Sequence, residues 1–97
     1  MELPTPNIDR INVLKNKVKL EWNYTDITDL KGFRLYMNDK LIADENVLGK
    51  NKHDFISDEL SKSSIYHFTL QAITLNGITS QLSEPKTITI LIDKKNK

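Results

Sequence analysis

The chain has no cysteine in its 97 residues, and only three glycines, three prolines and one tryptophan. Without thiols there is no disulfide, no thiolate metal site and no cysteine nucleophile. The absence does not assign a compartment. There is no excess of one charge either: 14 basic and 13 acidic residues give a net charge of +1. That balance excludes the concentrated basic face of a nucleic-acid module. No apolar run approaches the roughly 20 residues that a spanning helix needs, so membrane insertion is not expected. Met1-Glu2-Leu3-Pro4 is neither basic nor followed by the apolar stretch of a secretory signal. The chain is therefore read either as a piece of a larger secreted protein or as a small protein that reaches its site without a signal, with Met1 as its native start.

Helical periodicity is also missing. What is present is alternation. Val18-Lys19-Leu20-Glu21-Trp22 and Tyr66-His67-Phe68-Thr69-Leu70-Gln71-Ala72 place apolar side chains at every second residue, the mark of half-buried strands. Ile11 and Val13 form a first strand, and Asn16-Lys17 turns it into the second. Asn23 to Lys31 is a polar loop. Gly32-Phe33-Arg34-Leu35-Tyr36-Met37 is a third strand, with Phe33, Leu35 and Met37 on one face. Asn38-Asp39 is a tight hairpin turn into Lys40–Ala43, because both residues tolerate positive φ. Asp44 to Lys52 is a loop, His53 to Ile56 a short strand, Tyr66 to Thr74 the longest strand, and Thr87 to Ile92 the last, after a turn at Asn76-Gly77. About seven short strands at this spacing indicate one all-β sandwich domain. It spans 1–97, with its core over 4–92 and a solvated basic tail over 93–97.

These pieces together resemble a fibronectin type III domain, within the immunoglobulin-like β-sandwich superfamily. The resemblance rests on the lead-in proline, Val18-x-Leu20-x-Trp22, Gly32-Phe33-x-Leu35-x-Met37, Leu60 six residues before Tyr66-x-Phe68-x-Leu70-x-Ala72, and Gly77-x-x-Ser80-x-x-Ser83-x-Pro85. It implies a seven-stranded antiparallel sandwich of a three-stranded and a four-stranded sheet. Its core would be Trp22, Phe33, Leu35, Leu60, Tyr66, Phe68 and Leu70. It also implies that Tyr66 bonds back toward the turn after Leu60, the tyrosine-corner device. The chain departs from the family there, with Lys62 and Ser63-Ser64 in place of the usual proline and glycine. Phe55 and Ile56 are out of step by about one residue, so either could be the buried one.

Catalysis needs a nucleophile, a base and an orienting acid in one cleft. The only bases are His53 and His67. His67 should point away from the core, and by the resemblance His53 starts a strand of the other sheet. The acid pairs Asp44-Glu45, Asp58-Glu59 and Asp26/Asp29 match no calcium-loop spacing. There is no glycine-rich phosphate loop and no histidine pair for zinc. No enzyme activity, cofactor or metal is expected. Asn23-Tyr24-Thr25 is an N-glycosylation pattern, relevant only in a eukaryotic secretory setting. Asn76-Gly77-Ile78 stands where some members of the resembled family carry an integrin-binding tripeptide, so that adhesion does not carry over.

Two surfaces are candidates for partner contact. One is a loop end bearing Tyr24, Ile27, Leu75, Ile78 and Leu82, apolar residues in turns; Ile27, Leu30 and Leu82 could instead plug the sandwich. The other is the outer face of the three-stranded sheet, with Arg34, Tyr36, His67, Thr69, Gln71 and Ile73 alternating with the core set. The expected role is a non-catalytic spacer or protein-binding module of a bacterial or phage surface or extracellular protein, contacting a protein partner or neighbouring domains. The alternatives are a self-contained accessory or decoration protein of a virion or surface assembly, and a carbohydrate-binding accessory domain of a secreted enzyme. For the last, only Tyr24 and Tyr36 offer rings to a glycan.

Overall fold

The computed structural model describes residues 3–24, 28–60 and 63–91. Seven strands build it: β1 (Asn7–Leu14), β2 (Lys17–Asn23), β3 (Leu30–Met37), β4 (Lys40–Ala43), β5 (Asp54–Ile56), β6 (Ser64–Thr74) and β7 (Lys86–Ile90). They form a three-stranded sheet in the order β1-β2-β5 and a four-stranded sheet in the order β4-β3-β6-β7. All pairings are antiparallel.

Alternation delivers the core. Val18, Leu20 and Trp22 from β2 meet Phe33 and Leu35 from β3 and Phe68, Leu70 and Ala72 from β6, all buried. Trp22 and Phe33 cross edge to face with ring centroids 5.7 Å apart, and Tyr24 meets Phe33 in the same manner at 5.4 Å, a geometry the ring quadrupoles favour. Tyr66 is buried as expected. The turn it was expected to reach includes Ser61 and Lys62, which lie outside the described residues, as do Ile92 and the 93–97 tail. Leu60 is only partly buried and packs on the edge of the core. Phe55 is the inward member of its pair; Ile56 is half exposed.

The turns follow their residue chemistry with one shift. Asn38 and Asp39 both take positive φ, 52° and 70°, and tie β3 to β4. The β1–β2 turn uses Lys15, at φ 59°, with Asn16, one residue earlier than the sequence suggested. Parity in β1 also shifts. A register break between Ile8 and Arg10 puts Ile8, opposite buried Trp22, on the same side as Ile11, opposite buried Leu20; Val13 keeps that side opposite buried Val18 but is 45% exposed near the end of an edge strand. A bulge adds a residue to one strand, so alternation counted across it inverts.

Three buried serines finish the ladders where strands run out. Ser57, Ser80 and Ser83 each donate a backbone N–H to a strand carbonyl, those of Val18, Ala72 and Leu70. Each hydroxyl then accepts the N–H of the same strand residue at 2.9 Å. It donates onward to the carbonyl of the next residue in its own chain. Buried backbone groups that would otherwise lack partners are thereby satisfied. This gives the Ser80-x-x-Ser83 spacing its role: it pairs every second residue of β6 before β7 begins.

The Asp44–Lys52 loop holds a buried residue that polarity concealed. Leu48 is fully buried. Asp44 closes a turn beneath it, its carbonyl accepting Val47 N–H at 2.9 Å and Leu48 N–H at 2.8 Å. Leu48 O in turn accepts Phe33 N–H at 2.8 Å, and Gly49 bridges Gly32. The loop is thus laced to the start of β3.

Candidate functional site

The outward residues of β3 and β6 lie on the four-stranded sheet, not on the three-stranded one. The Asn38-Asp39 hairpin and the return of β7 give these two strands a neighbour on each outer side, so they become the sheet's centre. The face they present is a connected polar surface. Arg34 Nε donates to Glu45 Oε1 at 2.8 Å and Arg34 Nη2 to Oε2 at 3.3 Å. Tyr36 Oη donates to Gln71 Oε1 at 3.2 Å, and Gln71 Nε2 donates to Ser80 O at 3.0 Å. His67 Nδ1 lies 3.0 Å from Thr87 Oγ1, while its backbone N–H is held by Asn38 Oδ1 at 2.9 Å. Arg34, Tyr36 and Gln71 therefore share one face, and each has a side-chain hydrogen-bond partner.

Ile73 does not join them. It is 4% exposed. A register break between Leu30 and Gly32 pairs Ile73 with side-chain-free Gly32, and the segment at Thr79 bridges it from the other side. Flanking backbone closes over a position that alternation alone assigned to solvent.

Glu45 is the member of this surface that sequence reasoning missed, because it sits in a loop rather than in the alternating pattern. The Arg34 guanidinium, through its hydrogen bonds, holds the Glu45 carboxyl at about 2, below its ordinary 4.5. Glu45 in turn raises Arg34. The pair anchors the Leu48 loop to β3. Since the folded pKa is depressed, its stabilisation is present above about pH 4.5 and is lost as pH falls through about 2. Acid should therefore destabilise the native chain by about 1 kcal/mol more than an Arg34→Gln variant, a value discounted for solvent screening of a surface pair. Urea melts of both chains at pH 6 and pH 2.5 measure this. Equal losses in both would remove the pair's role.

At the loop end, Leu75 is 66% and Ile78 51% exposed, on a turn closed by Thr74. Thr74 Oγ1 accepts Ile78 N–H at 3.0 Å, and Thr74 O accepts Gly77 N–H at 3.0 Å with Gly77 at φ 85°. Leu82 is exposed as well, whereas Leu30 is buried as the first residue of β3, so Leu30 is a plug and Leu82 is not. Tyr24 is not free for a partner: its ring rests on Phe33 and its hydroxyl donates to Pro4 O at 2.6 Å. Burial raises its pKa. Ile27 lies outside the described residues.

His53 and His67 are held by different sheets. His53 precedes β5 and its carbonyl accepts Trp22 N–H at 2.9 Å, while His67 is in β6. A groove of about 660 Å³ on the three-stranded sheet is lined by Asp9, Arg10, Glu21, Asn23, Lys52, His53 and Asp54 among others. Its charges pair with one another, as in Lys52–Asp54 at 3.4 Å and Arg10–Glu21 at 3.8 Å. Among the described residues no cluster of His, Asp and Glu is arranged to hold a metal ion. No helix there is long and apolar enough to cross a membrane.

No protein-family model matches the chain, and no curated protein matches its sequence. Solved structures do share its fold. The spore cortex lytic enzyme SleM of Clostridium perfringens aligns with a TM-score of 0.73 at 18% identity, over 97% of this chain and 29% of that one. A family 28 exopolygalacturonase of Yersinia enterocolitica aligns with a TM-score of 0.72 at 18% identity, over 93% of this chain and 21% of that one. The FN1–FN3 domains of chicken CNTN1 align with a TM-score of 0.61 at 17% identity, over 95% of this chain and 33% of that one. The chain thus spans about a fifth to a third of the length of these structures. Identities this low show a common β-sandwich and carry no activity across.

Proposed function

We propose that the chain is a non-catalytic module of fibronectin type III type, part of a bacterial or phage surface or extracellular protein. It holds neighbouring parts in place and offers the Arg34–Tyr36–Gln71 face and the Leu75–Ile78 turn to a protein partner. The observation that carries this reading is the share of each matched structure that the fold occupies: 93–97% of this chain aligns with only 21–33% of each matched chain. The distribution of side chains agrees with it. Titratable groups on the two sheet faces pair locally, as in Arg34–Glu45 and Lys52–Asp54.

A second reading, an accessory domain that holds an enzyme on polysaccharide, draws on two of the matched structures, one a cortex lytic enzyme and one an exopolygalacturonase. In it Tyr36 and Gln71 contact the glycan. Native gels cast with peptidoglycan fragments or with polygalacturonate separate the two. The module reading expects unchanged mobility in both gels. Retardation that a Tyr36→Ala variant relieves would overturn it in favour of glycan binding.

A further inference from the structure

We propose that the open flank of the sandwich, between β4 and β5, seats an aliphatic side chain of a partner polypeptide that carries a lysine or arginine close by in its sequence. The two sheets meet differently on their two sides. On one side β1 packs against β7 and closes the sandwich. On the other, β4 and β5 are the edge strands, and no Cα of one comes within 8 Å of a Cα of the other. The chain fills half of that gap itself. The β4–β5 loop drops Leu48 into the core near the start of β3, where Leu48 O accepts Phe33 N–H. At the other end of β3 a pit of about 100 Å³ remains, lined by Met37, Ile42, Phe55, Ser57, Asp58 and Leu60.

The lining decides what the pit accepts. Met37, Ile42, Phe55 and Leu60 are apolar and only partly buried against the core. The Ser57 hydroxyl is engaged within the chain, accepting Val18 N–H and donating to Asp58 O, both at 2.9 Å. A polar group entering the pit would leave water and meet mostly hydrocarbon, which disfavours a sugar. Size narrows the choice further. An apolar cavity of about 150 Å³ binds benzene, so this smaller one suits a branched aliphatic side chain better than a ring or an acyl chain. Leu48, which closes the other half of the flank, is such a side chain, and Met37 can adapt its shape to the guest. Asp58 adds charge at the same place. It is exposed, and neither its carboxylate nor that of Glu59 joins an ion pair among the described residues. No lysine, arginine or histidine lines the pit. A cation beside the seated side chain therefore meets an unopposed carboxylate, and an acid there is repelled. In an extended segment residues two apart share a face, about 7 Å from one another. An aliphatic residue with lysine or arginine two positions away fits the pit and Asp58 together. The inference rests on the module reading only in that the partner is a protein; the Arg34–Tyr36–Gln71 face plays no part in it.

The test is an NMR titration of the isotope-labelled chain with the blocked peptide acetyl-Gly-Leu-Gly-Lys-Gly-amide, up to roughly 10 mM because one side chain and one charge bind weakly. Saturable amide shifts should gather at Met37, Ile42, Phe55 and Leu60. The same peptide with alanine for leucine should bind about tenfold more weakly. With glutamate for lysine it should lose about threefold. Asp58→Asn changes an exposed residue, so folding is spared and circular dichroism checks it. That variant should bind the lysine peptide about threefold more weakly and no longer prefer it to the glutamate peptide. An absence of saturable shifts at the four residues would overturn the proposal. So would a lysine preference that survives Asp58→Asn, or hexanol binding there as tightly as the peptide, which would make the pit an unselective apolar cavity. Shifts gathered at Tyr36 and Gln71 instead would overturn the pit and leave the module reading standing.

Discussion

Gly32→Val should destabilise the fold by about 3–5 kcal/mol, read as a fall in the urea midpoint at unchanged slope. A domain of this size is stable by roughly 5–15 kcal/mol, so the variant stands near the threshold of folding. The cause is space and not backbone freedom. A Cβ on Gly32 would run into the carbonyl oxygen of Leu48 and lie 3.1 Å from Gly49 Cα. Both obstacles are backbone and cannot swing aside. To make room the loop must lift from β3. Lifting it breaks the 2.8 Å bond from Phe33 N–H to Leu48 O and draws Leu48 out of the core. It also strains the Arg34–Glu45 pair at the other end of the loop. The mechanism has a sharp test. Leu48→Ala alone should cost about 2–5 kcal/mol. Since both changes undo the same docking, Gly32→Val with Leu48→Ala should cost well under the sum. Strict additivity would show that Gly32 and Leu48 act independently and would overturn the explanation.

Trp22→Ala should cost about 3–5 kcal/mol. The indole is 1% exposed and stands between β2 and Phe33 of the opposite sheet, so its removal opens a cavity that two rigid sheets cannot close. Its Nε1–H has no hydrogen-bond partner among the described residues, and an unmet buried donor costs about 1–3 kcal/mol. Trp22→Phe removes that donor along with part of the volume. It should therefore cost only about 1–2 kcal/mol, less than the lost surface alone predicts. Thermal melts followed by circular dichroism compare the two. Equal losses for Phe and Ala would mean that the indole nitrogen is satisfied after all.

These two residues differ in how far the sequence revealed them. Trp22 closes a run whose alternation is unbroken, and its burial was legible at once. The same holds for Phe33, Leu35, Phe68 and Leu70 and for the Asn38-Asp39 hairpin. Gly32 looked like the first residue of a strand, with nothing to show why a side chain is forbidden there. Its constraint comes from Leu48, 16 residues away in a polar loop. Ile73 and Val13 failed in the opposite manner. Ile73 obeyed the alternation rule but sits beside a register break where flanking backbone covers it, and Val13 keeps its inward register opposite Val18 yet is left exposed near the end of an edge strand. Of the candidate surface, Arg34, Tyr36 and Gln71 were found by parity. Glu45 was not, because no local pattern connects a loop acid to a strand arginine.

What the sequence determined by itself is everything that depends on neighbours one to four residues apart. That covers the number and place of the strands, the faces they bury, the tight turns and the all-β class. Side-chain alternation and turn conformations are local properties, so local residues dictate them. The tertiary structure decided which sheet each face belongs to and which loop residue enters the core. Those depend on strand order and on contacts between distant segments. Single inserted residues, such as the one that separates Ile8 from Arg10, change them without leaving a mark in composition or period.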